Sequence, residues 1–472
     1  MFKIEVIMKM EKWYVAVKKA DFEAWSQKFD ISVVTARIIR NRGLLTEQDV
    51  VKYLYGGLED MYSCNLFKDM DQAVEVLQQK IEGQKTIRVI GDYDVDGICA
   101  TYILTRGLRA AGAHVDTAIP HRIRDGYGLS KQLIIEAQEA GVDTILTCDN
   151  GIGAAPQIAY ANELGMTVVV TDHHEVPYVE EDGTVQEVLP PAAAVVDPKR
   201  AECTYPYPNI CGAMVAYKLI QALYEAKEQE CQGLLEELLQ YAAIATVCDV
   251  MELLDENRIV VKEGLKRLRK NPSLGLLALM EVNGIEPERL SAYHIGFIIG
   301  PCMNATGRLD TAQRMLELLE CTQKREALAI AAELKQLNES RKLMTQEGVK
   351  EAERYVLENE MEQDKVLVIF LPDSHESLSG IIAGRIREQF QKPVFVLSRG
   401  EEGVKGSGRS IEAYSMYESM AECKDLFTKF GGHKLAAGLS MEEKAIPTLR
   451  RRLNDGCTLT EEDFIPKVHI DI

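Results

Sequence analysis

The chain has 472 residues, which at roughly 150 residues per domain points to about three domains, or two with insertions; its 46% hydrophobic and 27% charged residues are ordinary for a soluble globular protein. With 54 Lys+Arg against 73 Asp+Glu, the formal net charge is −19. That balance argues against binding a polyanion through overall charge, but it leaves room for a local basic groove or for metal ions that reverse the sign locally.

No apolar run approaches the ~18–20 residues of a membrane span, and the first residues carry no signal-peptide pattern. The eleven cysteines are scattered without a Cys-x-x-Cys pair and read as reduced, buried thiols of a cytoplasmic protein.

Residues 11–85 read as a helical supporting segment, placed within an N-terminal region 1–85. From Thr86 to Asp197 strands alternate with helices: strands over 86–91, 114–120, 142–147, 166–171 and 192–196, helices over 98–112, 130–141 and 156–165. The strands are short, Val/Ile/Thr-rich and nearly continuous in apolar character, as strands covered on both faces are. Each helix ends in Gly. This alternation predicts βαβ units and a parallel sheet. A helical part follows over 211–310, then a connector helix over 311–360 with room for one break. Strand patterns restart at 365–372 and 393–398 around the helical GIIAGRIREQF, giving a second, smaller α/β domain over 361–472. The fold class expected is α/β, with a parallel-sheet catalytic domain over 86–310 bearing helical insertions.

The chemistry lies where the acids fall. In an open parallel sheet, ligands bind beyond the carboxyl ends of the strands. Those ends read GDYDVDG (91–97), CDNG (148–151) and TDHHEVP (171–177), and ATVCDVMEL (245–253) adds a fourth acid after an apolar run. Asp92, Asp94, Asp96, Asp149, Asp172, His173, His174 and Asp249 thereby converge on one edge. A single Asp-x-Asp after a strand is as well explained by a turn, and a His pair by a cap. All four motifs at successive strand ends are not, and so many buried carboxylates demand cations. Oxygen and imidazole ligands suit Mn²⁺ best, with Mg²⁺ or Zn²⁺ as alternatives. The ligand count fits two metals sharing a carboxylate, a pair that clamps the attacking and leaving oxygens of a phosphoester displacement.

Two glycine-rich segments add anion sites. GSGRS (406–410) reads as an anion loop in which Gly406 and Gly408 let the backbone approach a phosphate. GGHKLAAG (431–438) reads as a turn entering a helix, an anion site at the helix N-terminus. Tyr93 and Tyr127 offer either stacking surfaces for bases or buried packing.

GDYDVDG, CDNG, TDHH and CDVMEL resemble the four motifs of the DHH phosphoesterase superfamily. HRIRDGYGLS (121–130), NICGAMVAYKL (209–219), ENRIVVKEGL (256–265) and GPCMNATGRLD (300–310) resemble the RecJ family of single-strand-specific 5′→3′ DNA exonucleases within it. SHESLSGIIAGRI (374–386), GSGRS and FGGHKLAAGLSM (430–441) resemble that family's DHHA1-type second domain. The resemblance covers roughly residues 11 to 472.

The resemblance implies that the DHHA1 domain faces the DHH domain across a cleft. Asp92 and Asp94 serve a first metal, and Asp96, His173 and Asp249 a second, with Asp149 bridging. His174 stands beside the site, orienting a ligand or supporting the scissile phosphate, and Asp172 fixes the tautomer of His173. A water acidified by metal attacks phosphorus. Arg122, Arg308, Ser407 and Arg409 are the implied 5′-phosphate pocket; taken alone, Arg122 and Arg308 could be surface or helix-end charges. Gly431, Gly432 and His433 hold the nucleic-acid backbone, although a lone His near a turn is usually structural. Single-stranded DNA is the implied partner, with a RecQ-type helicase and a single-strand binding protein beside it.

Two departures stand out. Cys302 sits where relatives carry a basic residue. The chain stops at IPKVHIDI (465–472), which resembles the strand leading into the family's OB-fold, so that fold is expected to be missing. Met10-Glu11-Lys12-Trp13 resembles the family's usual start.

Three functions compete: a single-strand exonuclease releasing 5′-mononucleotides, a phosphoesterase of short oligoribonucleotides or cyclic dinucleotides, and a non-catalytic single-strand scaffold. The full set of motif acids speaks against the scaffold, and, on the superfamily resemblance, the segment from Cys211 to Leu290 and the lack of His in GDYDVDG speak against the second. Acid runs at 180–187, 351–365 and 461–472 carry −11 of the −19 away from every motif, so any basic surface is local and narrow.

Overall fold

The structure is a computed structural model and describes residues 11–181, 184–400 and 403–471. The chain divides into two units, Thr46–Glu339 and the stretches before and after it.

The first unit is built on a five-stranded, all-parallel sheet. From one edge its order is His114–Ala118, Thr86–Ile90, Thr144–Cys148, Thr167–Thr171 and Ala194–Val196. The register sets Val89 opposite Thr117 on one side and Leu146 on the other. Helices Val95–Ala110, Lys131–Glu139 and Ala155–Glu163 follow the first, second and third strands in chain order. Each stops just before a glycine at positive φ, Gly112 at 92°, Gly141 at 72° and Gly165 at 81°, a conformation other residues adopt at a steric cost. The helix Val95–Ala110 is buried nearly all round, between the sheet and helices Gly212–Ala226 and Gln232–Cys248. Its apolar faces merge with theirs into one core with Ile87, Val89 and Leu146.

The second unit carries a mixed five-stranded sheet in the order Phe427–Gly432, Ala436–Met441, Gly403–Arg409, Val394–Gly400 and Leu367–Phe370. Only the last pair is parallel. Alternation along Val394–Leu397 sends Val394 and Val396 to the helix Ser379–Phe390 and sends Phe395 and Leu397 to the opposite core, as a period of two requires.

Several segments differ from expectation. GSGRS is part of the strand Gly403–Arg409, not a loop, and GGHKLAAG is a β-hairpin, not a turn entering a helix. Gly406 and Gly408 are glycine for packing reasons. A Cβ on Gly406 would collide with Leu397, and one on Gly408 would sit 2.6 Å from Met416 Sδ. The segment expected to be helical from residue 11 opens with the strand Lys12–Val15, which pairs in parallel with Lys467–Ile470. A hairpin of Tyr178–Glu181 with Thr184–Glu187 was not foreseen. The connector breaks once, between helices Gln313–Glu320 and Lys324–Glu358. All eleven cysteines are free, and seven are buried. Among the described residues, no helix is long and apolar enough to cross a membrane.

Candidate metal centre

In a doubly wound sheet of this strand order, the crevice opens between the first and third strands, where the chain departs in opposite directions. Asp92 leaves the first strand and Asp149 the third. Asp94 caps the helix Val95–Ala110, accepting from the N–H groups of Asp96 at 2.9 Å and Gly97 at 3.1 Å. A Cβ on Gly97 would collide with the Asp92 backbone. Asp96, 2% exposed, accepts from the N–H groups of Gly212 and Ala213, both at 2.7 Å. These open the helix Gly212–Ala226, whose first N–H groups have no partner within the helix and whose dipole favours an anion.

Asp149 takes a left-handed backbone, φ 59°, and lies so close to Gly212 that a Cβ there would be 2.7 Å from its own. His173 Nε2 stands 3.0 Å from Asp149 Oδ1, 3.5 Å from Asp96 Oδ2 and 3.9 Å from Asp249 Oδ2. Asp249 is delivered from the end of the helix Gln232–Cys248. Three sets of ligand atoms each lie within 4.8 Å of one another: Asp92 with Asp94 and Asp149, Asp96 with His173 and Asp249, and Asp149 with His173 and His174. Asp149 and His173 each belong to two sets.

Burial and mutual repulsion set the charges. Burial, then Asp94, pushes Asp92 well above the carboxylate range. Burial, then Asp96, raises Asp94. Burial, then Asp96, Asp94 and Asp92, raises Asp149 strongly. Asp249 is pushed to about 8 by burial and then Asp96. Burial depresses His173, which favours the neutral imidazole. Asp92 Oδ1 and His173 Nδ1 are buried with no hydrogen-bond partner among the described residues.

Asp172 corrects an expectation. It serves His174, not His173: its carboxylate lies 2.7 Å from His174 Nδ1 and accepts from the N–H groups of Ile152 and His173 at 2.9 and 2.8 Å. Despite burial, these bonds, led by that of His174, hold Asp172 below its ordinary value. In return, His174 is pushed to about 9: burial works against this, and the hydrogen bond to Asp172 outweighs it.

Tyr127 donates its hydroxyl to the Asp149 carbonyl at 3.0 Å and stands edge-on to Tyr93 and His174, half exposed. Tyr93 packs under the Arg122 guanidinium, 3.9 Å from its ring centroid, while Arg122 Nε donates to the Gly307 carbonyl at 3.1 Å. Arg308 follows Gly307, half-buried. Cys302 is fully buried beside Asn338, not at the surface.

In the second unit, Ser407 and Arg409 share one strand face beside Gly380, where a Cβ would lie 2.9 Å from Arg409 Nη2. Burial, then Arg387, lowers the pKa of Arg409. Gly431 and Gly432 end a strand, and His433 sits exposed in the hairpin turn.

Sequence reasoning passed over three neighbours. Asp197 follows the fifth strand, buried, and is pushed to about 8 by burial and then Asp172. The strand-end rule that found the other acids would have found it. Asn150 donates to the carbonyls of Ile90 and Cys148 at 3.1 and 2.9 Å, tying the two strand ends at the crevice. Asn304 accepts from the Val95 N–H at 3.2 Å.

This site and sheet are those of a recognised class: residues 86–246 match the DHH family, N-terminal domain, and residues 363–458 match the DHHA1 domain. The single-stranded-DNA-specific exonuclease RecJ of Bacillus subtilis (strain 168) is 36% identical over 95% of this chain and 55% of its own. That of Salmonella typhimurium is 34% identical over 90% of this chain and 75% of its own. The crystal structure of RecJ in complex with Mn²⁺ from Thermus thermophilus superposes with a TM-score of 0.82 at 30% identity, covering 97% of this chain and 64% of that one. The chain belongs to the RecJ family, and it spans about half the length of the Bacillus relative.

Proposed function

We propose that this chain is a metal-dependent exonuclease that degrades single-stranded DNA in the 5′→3′ direction to 5′-mononucleotides. The observation that carries the reading is the convergence of Asp92, Asp94, Asp96, Asp149, Asp249 and His173 at the switch point of the sheet. Strand specificity follows the relatives' names, and polarity follows the family resemblance. Neither a dinucleotide phosphoesterase nor a scaffold draws comparable support.

The site fits divalent cations. Its carboxylates raise one another's pKa, and one buried carboxylate oxygen, Asp92 Oδ1, lacks a partner among the described residues. Asp92, Asp94 and Asp149 would hold one ion, and Asp96, His173 and Asp249 the other, with Asp149 shared. Mn²⁺ suits this mixed oxygen and imidazole set, with Mg²⁺ as the alternative. Bound there, the ions supply the positive charge that a phosphodiester displacement needs and make water acidic.

The chain's own groups position and neutralise. The helix N-terminus at Gly212 and Ala213 fixes Asp96. His174, kept cationic by Asp172, supports the scissile phosphate. Arg122, braced by Tyr93 and the Gly307 carbonyl, receives a terminal phosphate together with Arg308, since guanidinium forks match phosphate oxygens. On the family resemblance, Ser407 and Arg409 also serve the terminal phosphate, and Gly431, Gly432 and His433 contact the nucleic-acid backbone. On the family resemblance alone, the setting is cytoplasmic and the working partners are a RecQ-type helicase and a single-strand binding protein.

A 5′-labelled oligonucleotide with Mn²⁺ tests the reading. The label is expected to leave early as mononucleotide, chelator is expected to stop the reaction, and blunt duplex is expected to resist. Equal cutting of duplex, or faster turnover of dinucleotides than of long strands, overturns it.

A further inference from the structure

Two of the most exposed large apolar side chains among the described residues of the catalytic unit are neighbouring aromatics. Tyr293 is 63% and Phe297 69% exposed, with rings stacked at 5.0 Å and 28°. They stand on a continuous helical stretch made of Ala292–His294, a π-helical turn Ile295–Ile299 and Gly300–Leu309. Such π turns occur frequently at functional sites.

The stretch is fixed at both ends of the metal centre. Ile295 and Ile299 enter the core, and a Cβ on Gly296 would lie 3.6 Å from Val247. Gly300 packs so closely on Cys248 that a Cβ would collide with its sulfur. The π turn therefore leans on the two residues that precede Asp249. Farther along, Asn304 holds the Val95 N–H, and Gly307 meets Tyr93 and binds Arg122. Val250, next after Asp249, is 85% exposed at φ 57°, a conformation strained for a β-branched residue.

We propose that Tyr293 and Phe297 form a stacking platform for bases of the single-stranded substrate beyond the scissile phosphate. The inference rests on the nuclease reading above. Planar faces presented to solvent suit bases of any sequence, and the platform is continuous with the element that braces the metal-site motifs. Phe297 precedes Asn304 by seven residues, about 10 Å of helix, a span of about three nucleotides at ~3.4 Å each.

The test compares a dT20 strand with a dT2 dinucleotide, too short to reach the platform. The double variant Y293A/F297A is expected to raise KM for dT20 about tenfold, with kcat and dT2 turnover unchanged. The KM ratio should hold across salt concentrations, because no phosphate contact is lost. F297W should restore KM, and dT20 should quench its fluorescence beyond any quench of Trp13 and Trp25 in the unsubstituted protein. Unchanged KM, equal losses on both substrates, or no added quench overturns the platform. Quenching without turnover of any substrate retains the platform and removes the nuclease reading.

Discussion

Two clusters of buried charge lie in the same unit and are solved in opposite ways. Around Lys218 and Glu256, both 0% exposed, the ammonium stands 3.0 Å from the carboxylate and also donates to the Tyr62 carbonyl. Glu256 further accepts from the Tyr62 N–H and the Tyr205 hydroxyl, and Asp255 next to it takes Lys52 and the Tyr62 hydroxyl. The cation is built into the chain and the network is closed. At the crevice, five carboxylates meet one depressed imidazole, and the Arg122 guanidinium opposes the rise of Asp92 and Asp94 without overcoming it. The first cluster is complete from the sequence alone; the second is complete only with ions. Folding tolerates the second because burial favours the protonated forms of Asp92, Asp94, Asp149 and Asp249, a state that cations would replace.

The contrast is sharpest at Asp149, which belongs to two of the three ligand sets. Asp149→Ala is expected to lower kcat on the order of 10³-fold or more, the scale of losing a principal electrostatic element. In chelator the same variant should melt close to the parent, because the loss of a repelling carboxylate offsets the cost of alanine at positive φ. The stabilisation that Mn²⁺ gives the parent, about 2.7 kcal/mol at a hundredfold excess over Kd, should vanish. Lys218→Met attacks the closed cluster. Leaving Glu256 uncompensated is expected to cost about 3–5 kcal/mol in urea unfolding, with or without metal, and Lys218→Met with Glu256→Leu should cost less than the single change.

Asp172→Asn should have a smaller effect than either. It removes the partner of His174 and is expected to reduce activity about 10–100-fold, with the alkaline limb of the pH–rate profile moving from about 9 towards the ordinary imidazole value. The remaining effect is a slope. Asp249 is raised to about 8 and His174 to about 9, so the metal-free folded state binds more protons than the unfolded one across this range. Its stability should therefore fall as pH rises from about 4 to about 9. Thermal melts in chelator should show that fall, and saturating Mn²⁺ should flatten the carboxylate part of it.

The parts of this contrast that the sequence carries are those written in apolar runs. Strands such as TILTC and TVVVT are unmistakable, so the acids at their ends fall on one edge by sequence alone. The second sheet was harder, because Gly403–Arg409 and the Phe427–Met441 hairpin carry glycines where apolar alternation would be expected, and tertiary crowding at Leu397 and Met416 explains the glycines at 406 and 408. The pairing of Asp172 with His174 rather than His173 depends on ring directions that no spacing encodes. The donors to Asp96 are backbone N–H groups from a helix more than a hundred residues away, invisible in side-chain patterns. Lys218 was equally hidden, since a lysine in an amphipathic helix normally reads as surface.

The helix Gly212–Ala226 has a further consequence. Its first two N–H groups hold Asp96, and Lys218, about six residues or ~9 Å along, closes the other network. It works as a strut loaded at its start and near its middle, where axial slippage that eased one contact would misalign the other. Repacking around Tyr62 or Tyr205 would therefore be felt at the crevice as altered metal affinity, without touching a single ligand.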